Sequence, residues 1–423
     1  MKKAKYIELL SPAKNLECGI EAIKHGADAV YIGAPRFGAR AGATNSIDDI
    51  RQLVEFAHIY RVKIYVTVNT ILRDDELKDT EEMIWELYKI GVDALIVQDF
   101  ALLSLNLPPI PLHASTQMDN RTPEQAKFLA DLGFEQVVLA RELSIGEISE
   151  IHKATDVPLE VFVHGALCVS YSGQCYVSQH CYNRSANRGE CAQFCRLAFD
   201  MIDADGKTIH KAKHLLSLKD MNQSENLEAL MDAGARSFKI EGRLKDVSYV
   251  KNVVAAYSQR LNAVIAKHPQ TYCRASKGRV AYSFQPNLKK TFNRGFTSYF
   301  LHGRQADIFS PDTPRRWASL WAPSRRFAAT RSMWLAPRRL PMATVSASSM
   351  PTTSWKGSVS IVLRATVSSR IRCPETYAQV WHSIATTTRN LNACWRVLLP
   401  SVACPFRCIF LLLTMVFACL LTV

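Results

Sequence analysis

The chain has 423 residues, 48% of them apolar and 21% charged, and a formal net charge of +14. That length suits one large domain with an appendage, or two domains, and dilutes twelve cysteines too far for a small disulfide scaffold. The opening MKKAKYIELLSPAK lacks an apolar stretch long enough for a secretory signal, so a reduced cytoplasmic setting is expected.

Short apolar runs recur along the first 245 residues, at 7–13, 29–34, 63–70, 94–99, 111–116, 136–141, 159–165 and 237–243. They predict eight strands. Between most of them lie amphipathic stretches that predict helices, as at 46–60, 74–90 and 122–133. Ser46 and Thr122 stand at N-cap positions, each with an acid close behind. Helices are followed by a glycine turn and the next strand, as in HGADAVYIG, IGVDALIVQ and LGFEQVVLA. Eight such βα units predict an α/β fold, a TIM-like (β/α)₈ barrel over residues 1–267, with a doubly wound open sheet as the alternative.

A barrel of this kind builds its site at the C-terminal ends of its strands. The polar residues there are Asn69, Gln98, Asp99, His113, Ser115, Thr116, Arg141, Glu142, His164, Glu241 and Arg243. After the seventh strand comes an insertion of some seventy residues, too long for a plain connection.

Beyond residue 314 the composition changes. Residues 1–314 hold 38 Lys and Arg against 37 Asp and Glu, whereas residues 315–423 hold 14, thirteen of them Arg, against Glu375 alone. The positive charge therefore belongs to the tail, and a nucleic-acid reading of the whole chain loses its electrostatic support. The tail also carries six of the seven tryptophans and sustains no apolar period. Trp-Ala read in another frame must contain Gly, which occurs at Trp317-Ala318 and Trp321-Ala322. Arg316 to Arg325 then re-reads as VGEPVGTVK, and Pro341 to Val345 admits NGDG. The expectation is a frameshift near residue 314, with a disordered basic tail as the alternative. An intact downstream frame in the gene supports the frameshift, and its absence sinks it. The terminal CIFLLLTMVFACLLTV resembles a membrane anchor but falls short of a comfortable span, so no membrane association is expected.

The insertion opens with EVFVHGALCVSYSGQCYVSQHCYNRSANRGECAQFC, five cysteines in 36 residues. Cys168, Cys175, Cys191 and Cys195 are separated by six, fifteen and three residues. These are not the paired C-x₂-C knuckles of a zinc ribbon, and an irregular set of four suits an iron–sulfur cluster at least as well. Gly165, Gly173 and Gly189 lie close to these cysteines, where turns let backbone N–H groups reach sulfur. Cys181 is read as non-ligating, with a place in any of the four ligand positions as its alternative, and Cys18 and Cys273 as packing residues. His164 is a candidate acid or base, or a hydrogen-bonded structural histidine. Glu241-Gly242-Arg243 offers a carboxylate and a guanidinium able to clamp an anion, or a plain internal ion pair. Hydrolase signatures such as G-x-S-x-G and H-E-x-x-H are absent. A Cys168–His164 pair is conceivable, but a cysteine among four ligands is poorly placed to attack.

The pattern Glu160-x-Phe162-x-x-Gly165-Ala166-Leu167-Cys168-x₄-Gly173-x-Cys175-x-Val177-Ser178 resembles the signature of the U32 peptidase family, often labelled collagenase-like proteases. ELLSPA, HGADAVYIG, KIEGR and KTFNRGFTSYF also resemble that family, so the likeness covers about residues 6–313, with 268–313 as a family-specific extension. NSIDDI, LHASTQ, GQCY and SANRGECAQFCR look most like the branch that hydroxylates a cytidine of large-subunit ribosomal RNA. The resemblance implies prephenate as a requirement and, in some branches, a [4Fe–4S] cluster whose ligands here would be Cys168, Cys175, Cys191 and Cys195. It also implies a longer protein, so a chain lacking the downstream module would be an inactive member. A peptidase, the family's historical label, is the rival activity.

Overall fold

A computed structural model describes residues 4–38 and 43–312. The proposed frameshifted tail and its terminal apolar run lie outside the described residues. Seven strands, β1 (Lys5–Ala13), β2 (Ala29–Gly33), β3 (Lys63–Val68), β4 (Ala94–Val97), β5 (Leu112–Ala114), β6 (Gln136–Val138) and β7 (Leu159–Gly165), pair in parallel in chain order. The insertion contributes α6 (Val177–Tyr182), an antiparallel hairpin of β8 (Phe199–Ile202) with β9 (Thr208–Lys213), and β10 (Asp220–Asn222). The eighth barrel strand, β11 (Ala235–Ile240), pairs in parallel with both β1 and β7 and closes the ring. An open sheet leaves its first and last strands unpaired with each other, so this closure decides for the barrel.

The helices follow from local rules. Residues α1 (Leu16–Lys24), α2 (Ile47–Ile59), α3 (Leu77–Lys89), α4 (Pro123–Asp131), α5 (Ile145–Ala154), α7 (Leu227–Asp232) and α8 (Val247–Lys267) surround the strands. Ser46 forms a full capping box with Asp49, and the Thr122 hydroxyl accepts from the Gln125 N–H. In α2 the buried positions Ile50, Leu53, Val54 and Ala57 follow helical spacing, so one stripe faces the strands. Leu53 packs so tightly on Gly19 of α1 that a Cβ at Gly19 would come within 2.7 Å of its methyls. Truncating Leu53 would cost about 2–5 kcal/mol. Between β4 and β5 the crossover is a 3₁₀ turn at Phe100–Ser104.

Alternate residues on each strand face opposite layers. Leu9, Val30, Ile64 and Val66 pack outward with the helices, whereas Leu10, Tyr31, Tyr65, Ala94 and Ile96 fill the barrel. The interior is also polar. Tyr65 Oη donates to Glu8 Oε2 at 2.6 Å, and Ser237 Oγ donates to Glu8 Oε1 at 2.7 Å. Lys239 Nζ bonds Glu160 Oε1 at 2.6 Å, with side chains 5% and 0% exposed, and Gln136 Nε2 donates to Glu160 Oε2. Such a pair gains from its partners but is costly to break.

Beyond β11 the chain stays on the barrel. Residues β12 (Tyr272–Arg274) pair with β1, and β13 (Phe296–Thr297) pairs with β10, which itself runs antiparallel to the end of β7. The insertion and the extension therefore meet at the C-terminal end of β7. No helix among the described residues is long and apolar enough to cross a membrane.

Candidate functional site

Most of the strand-end polar residues lie just past the paired strands, whereas His113 and His164 lie within β5 and β7 and are paired. Asp99 accepts from the Ala101 and Leu72 N–H groups, and Ser115 from the Gln117 N–H, so both serve turns. Across the mouth runs a chain of amides: Asn69 Nδ2 donates to Gln117 Oε1 at 2.7 Å, and Gln117 Nε2 to Gln98 Oε1 at 3.1 Å. Thr116 Oγ1 donates to the Leu139 carbonyl. Glu142 accepts from both the N–H and the hydroxyl of Ser172, which fastens the insertion to the end of β6.

The insertion lies against the rim through further contacts. Arg188 reaches the rim and bonds both Glu76 oxygens, and within the insertion Arg196 donates to the carbonyls of Leu167 and Leu218 and to Ser217 Oγ. Gly173 adopts φ +77°, and a Cβ there would meet the Gln117 carbonyl oxygen at 2.2 Å. At Gly165, φ +106°, a Cβ would press on the Glu241 carbonyl oxygen at 2.8 Å. Glycine is required at both places because the backbone is left-handed and the neighbour is main chain.

This folding gathers Cys168, Cys175, Cys191 and Cys195. Burial pushes the thiols of Cys168 and Cys175 up and that of Cys195 up to about 11, and each of the three is also raised by one or more of the other cysteines of the set. Cys181 is raised by burial alone and stands apart from the other four thiols. The Cys191 sulfur receives the backbone N–H of Gln193, two positions on, at 3.4 Å, and the backbone at Ser170 and Val177 acts against burial on Cys168 and Cys175. Cys168 and Cys191 are nonetheless exposed to solvent, while Cys175 and Cys195 are half-buried. Cys18 is buried in the core and Cys273 lies on β12.

Cations surround these thiols. Arg141 and Arg196 both favour ionised Cys168, and Arg196 also favours ionised Cys195. Arg294, paired with Asp220 at 2.8 Å, feels Cys195. Beside Asp220, Lys245 places its ammonium 3.1 Å from the Phe292 ring centre, and burial brings it down to about 8. Arg196, Asp220, Lys245 and Arg294 carried no role in the sequence reading. Arg196 and Arg294 lie inside the motif stretches SANRGECAQFCR and KTFNRGFTSYF, which were the available signal.

Glu241 pairs with Arg141 at 2.6 Å, and the Arg141 guanidinium lies 3.6 Å from the Phe162 ring centre. The internal ion pair weighed for Glu241 is thus formed, with Arg141 as partner and not Arg243. The buried Arg243 bonds Thr67 Oγ1 across the mouth. His164 is 1% exposed, ringed by Tyr249, Tyr257 and Phe296. Its Nδ1 lies 3.3 Å from Tyr257 Oη, its Nε2 has no partner, and burial holds it down at about 3. No pair with Cys168 is formed. His113 sits inside the barrel against Tyr65 and is likewise held neutral, at about 3, by burial and by Lys239.

With that geometry in place, comparisons give the chain relatives. A family model described as peptidase family U32 matches residues 14–309. The chain is 57% identical over 309 residues to the 23S rRNA 5-hydroxycytidine C2501 synthase of Escherichia coli K12, covering 73% of this chain and 47% of that protein. It is 35% identical over 306 residues to tRNA hydroxylation protein P1 of Bacillus subtilis 168, covering 70% and 71%. It is 33% identical over 315 residues to a collagenase of Porphyromonas gingivalis W83, covering 70% and 74%. The chain spans about half the length of the first of these relatives.

Proposed function

Because this chain belongs to peptidase family U32, we propose that it is an RNA-modifying hydroxylase acting on a cytidine of 23S ribosomal RNA, with a [4Fe–4S] cluster on Cys168, Cys175, Cys191 and Cys195. The observation that carries this reading is the gathering of four thiols over a barrel mouth, one of them, Cys191, taking a backbone N–H from Gln193. The donor chemistry fits the group. Soft thiolates suit iron–sulfur clusters, N–H groups aimed at sulfur tune them, and nearby cations offset their negative charge. Among the described residues no three His, Cys, Asp or Glu side chains close around a single metal ion. A zinc site needs four ligands on one ion, whereas a four-iron cluster gives each thiolate its own iron. When bound, the cluster would supply redox chemistry at the barrel mouth.

In this proposal the chain's own residues hold and shape the mouth. Glu241 fixes Arg141 over Phe162 beside Cys168, and the Arg243 guanidinium is of the kind that binds carboxylates such as prephenate, the implied co-substrate. His164, sealed and neutral, supports the end of β7 as a positioning residue. The peptidase alternative gains nothing from the thiols, since raised pKa values make poor nucleophiles.

The test is anaerobic purification followed by iron and sulfide analysis and a visible spectrum, then nucleoside mass spectrometry of ribosomal RNA from cells with and without the gene. A brown protein and gene-dependent hydroxycytidine are expected. A colourless, iron-free preparation refutes the cluster, and unchanged hydroxycytidine refutes the activity.

A further inference from the structure

One large ring beside the cysteine site is left in water. Tyr176 follows Cys175 directly and is 60% exposed. Its carbonyl accepts from the His180 N–H at 2.9 Å, which opens α6 and sets His180 one turn further along the same face. Exposed along the same stretch are Gln174, Gln179, His180, Asn183, Glu190 and Gln193. Residues 166–195 contain no Lys and no Asp; of their two arginines Arg188 turns to the barrel side and Arg184 is half-exposed.

This composition selects among ligands. A phosphate-tracking surface needs clustered Lys and Arg. An aromatic ring flanked by amides instead matches an unpaired base, which stacks on π-faces and hydrogen-bonds through its edges. Cys168 and Cys191, both exposed, neighbour Cys175, which Tyr176 follows in the chain. We propose that Tyr176 is the stacking platform for an unpaired RNA base presented to these exposed thiols. The proposal rests on the RNA reading above and names the residue that receives the base. It also removes a difficulty: a described region of nearly balanced charge can hold a splayed base without a basic field.

The experiment titrates the full chain, purified anaerobically, into a single-stranded oligoribonucleotide carrying one pyrrolocytidine. Stacking quenches that fluorophore. Wild type and Tyr176→Phe are expected to quench it, and Tyr176→Ala to lose the quench with a roughly 5- to 150-fold weaker affinity. The same strand in a complete duplex should not be quenched. If Tyr176→Ala quenches like wild type, or Tyr176→Phe fails with it, stacking is overturned and RNA binding stands. If the wild-type chain does not bind the strand, both the stacking and the RNA reading fall.

Discussion

Glu8 gives the barrel floor a stability that depends on pH, and the effect has a definite sign. Its carboxyl is enclosed by Tyr65 and Ser237, and burial raises it from 4.5 to about 7 against the pull of both hydrogen bonds. The folded protein therefore keeps a proton that the unfolded chain releases. Stability from this group is fully present below the unfolded value and is lost as pH rises through the folded value. A shift of this size at 1.36 kcal/mol per unit amounts to about 3 kcal/mol, of which about 2–3 kcal/mol falls between pH 5 and pH 8. Glu8→Gln keeps the shape and can still meet both hydroxyls, but it cannot ionise. Urea unfolding of both proteins at the two pH values, followed by circular dichroism, isolates the group. Wild type should lose about 2–3 kcal/mol more than Glu8→Gln on going from pH 5 to pH 8. Equal losses in the two proteins would refute the assignment of this proton to Glu8.

The cysteines make a second comparison: Cys168→Ser, Cys175→Ser and Cys191→Ser should abolish bound iron and the visible absorption, and Cys181→Ser should leave both intact. Iron retained in the first three, or lost in the last, would overturn the ligand set. Lys239→Met strands the buried Glu160 and should cost about 3–5 kcal/mol in chemical denaturation, whereas adding Glu160→Gln should recover much of it. A double variant no more stable than the single would show that the pair is not coupled. Arg188→Ala removes the tie to Glu76 and Ile71, so limited proteolysis should cut within residues 166–198 faster than in wild type. Unchanged cleavage would mean that the other fastenings hold the insertion alone.

The strands, the helices and their caps were legible because their causes are local. Capping by Ser46 and Thr122 acts over three residues, and apolar runs mark strands whichever partners they find. The density of thiols on one loop drew attention to Cys168, Cys175, Cys191 and Cys195, which the structure brings near one another. Eight βα units already pointed to a closed barrel rather than an open sheet, and the structure supplies the deciding contact, the pairing of β11 with β1 across more than two hundred positions. The same distance hid the partner of Glu241: its neighbour in sequence is Arg243, but its ion pair is with Arg141, brought across by barrel curvature. His164 was open between an acid or base and a structural role, and only the packing of α8 and β13 around it leaves the ring sealed and uncharged. Sequence determined which elements form and which side chains are candidates for the chemistry. Tertiary structure decided which of those side chains meet, because burial and long-range pairing set their charge, their partners and their access to solvent.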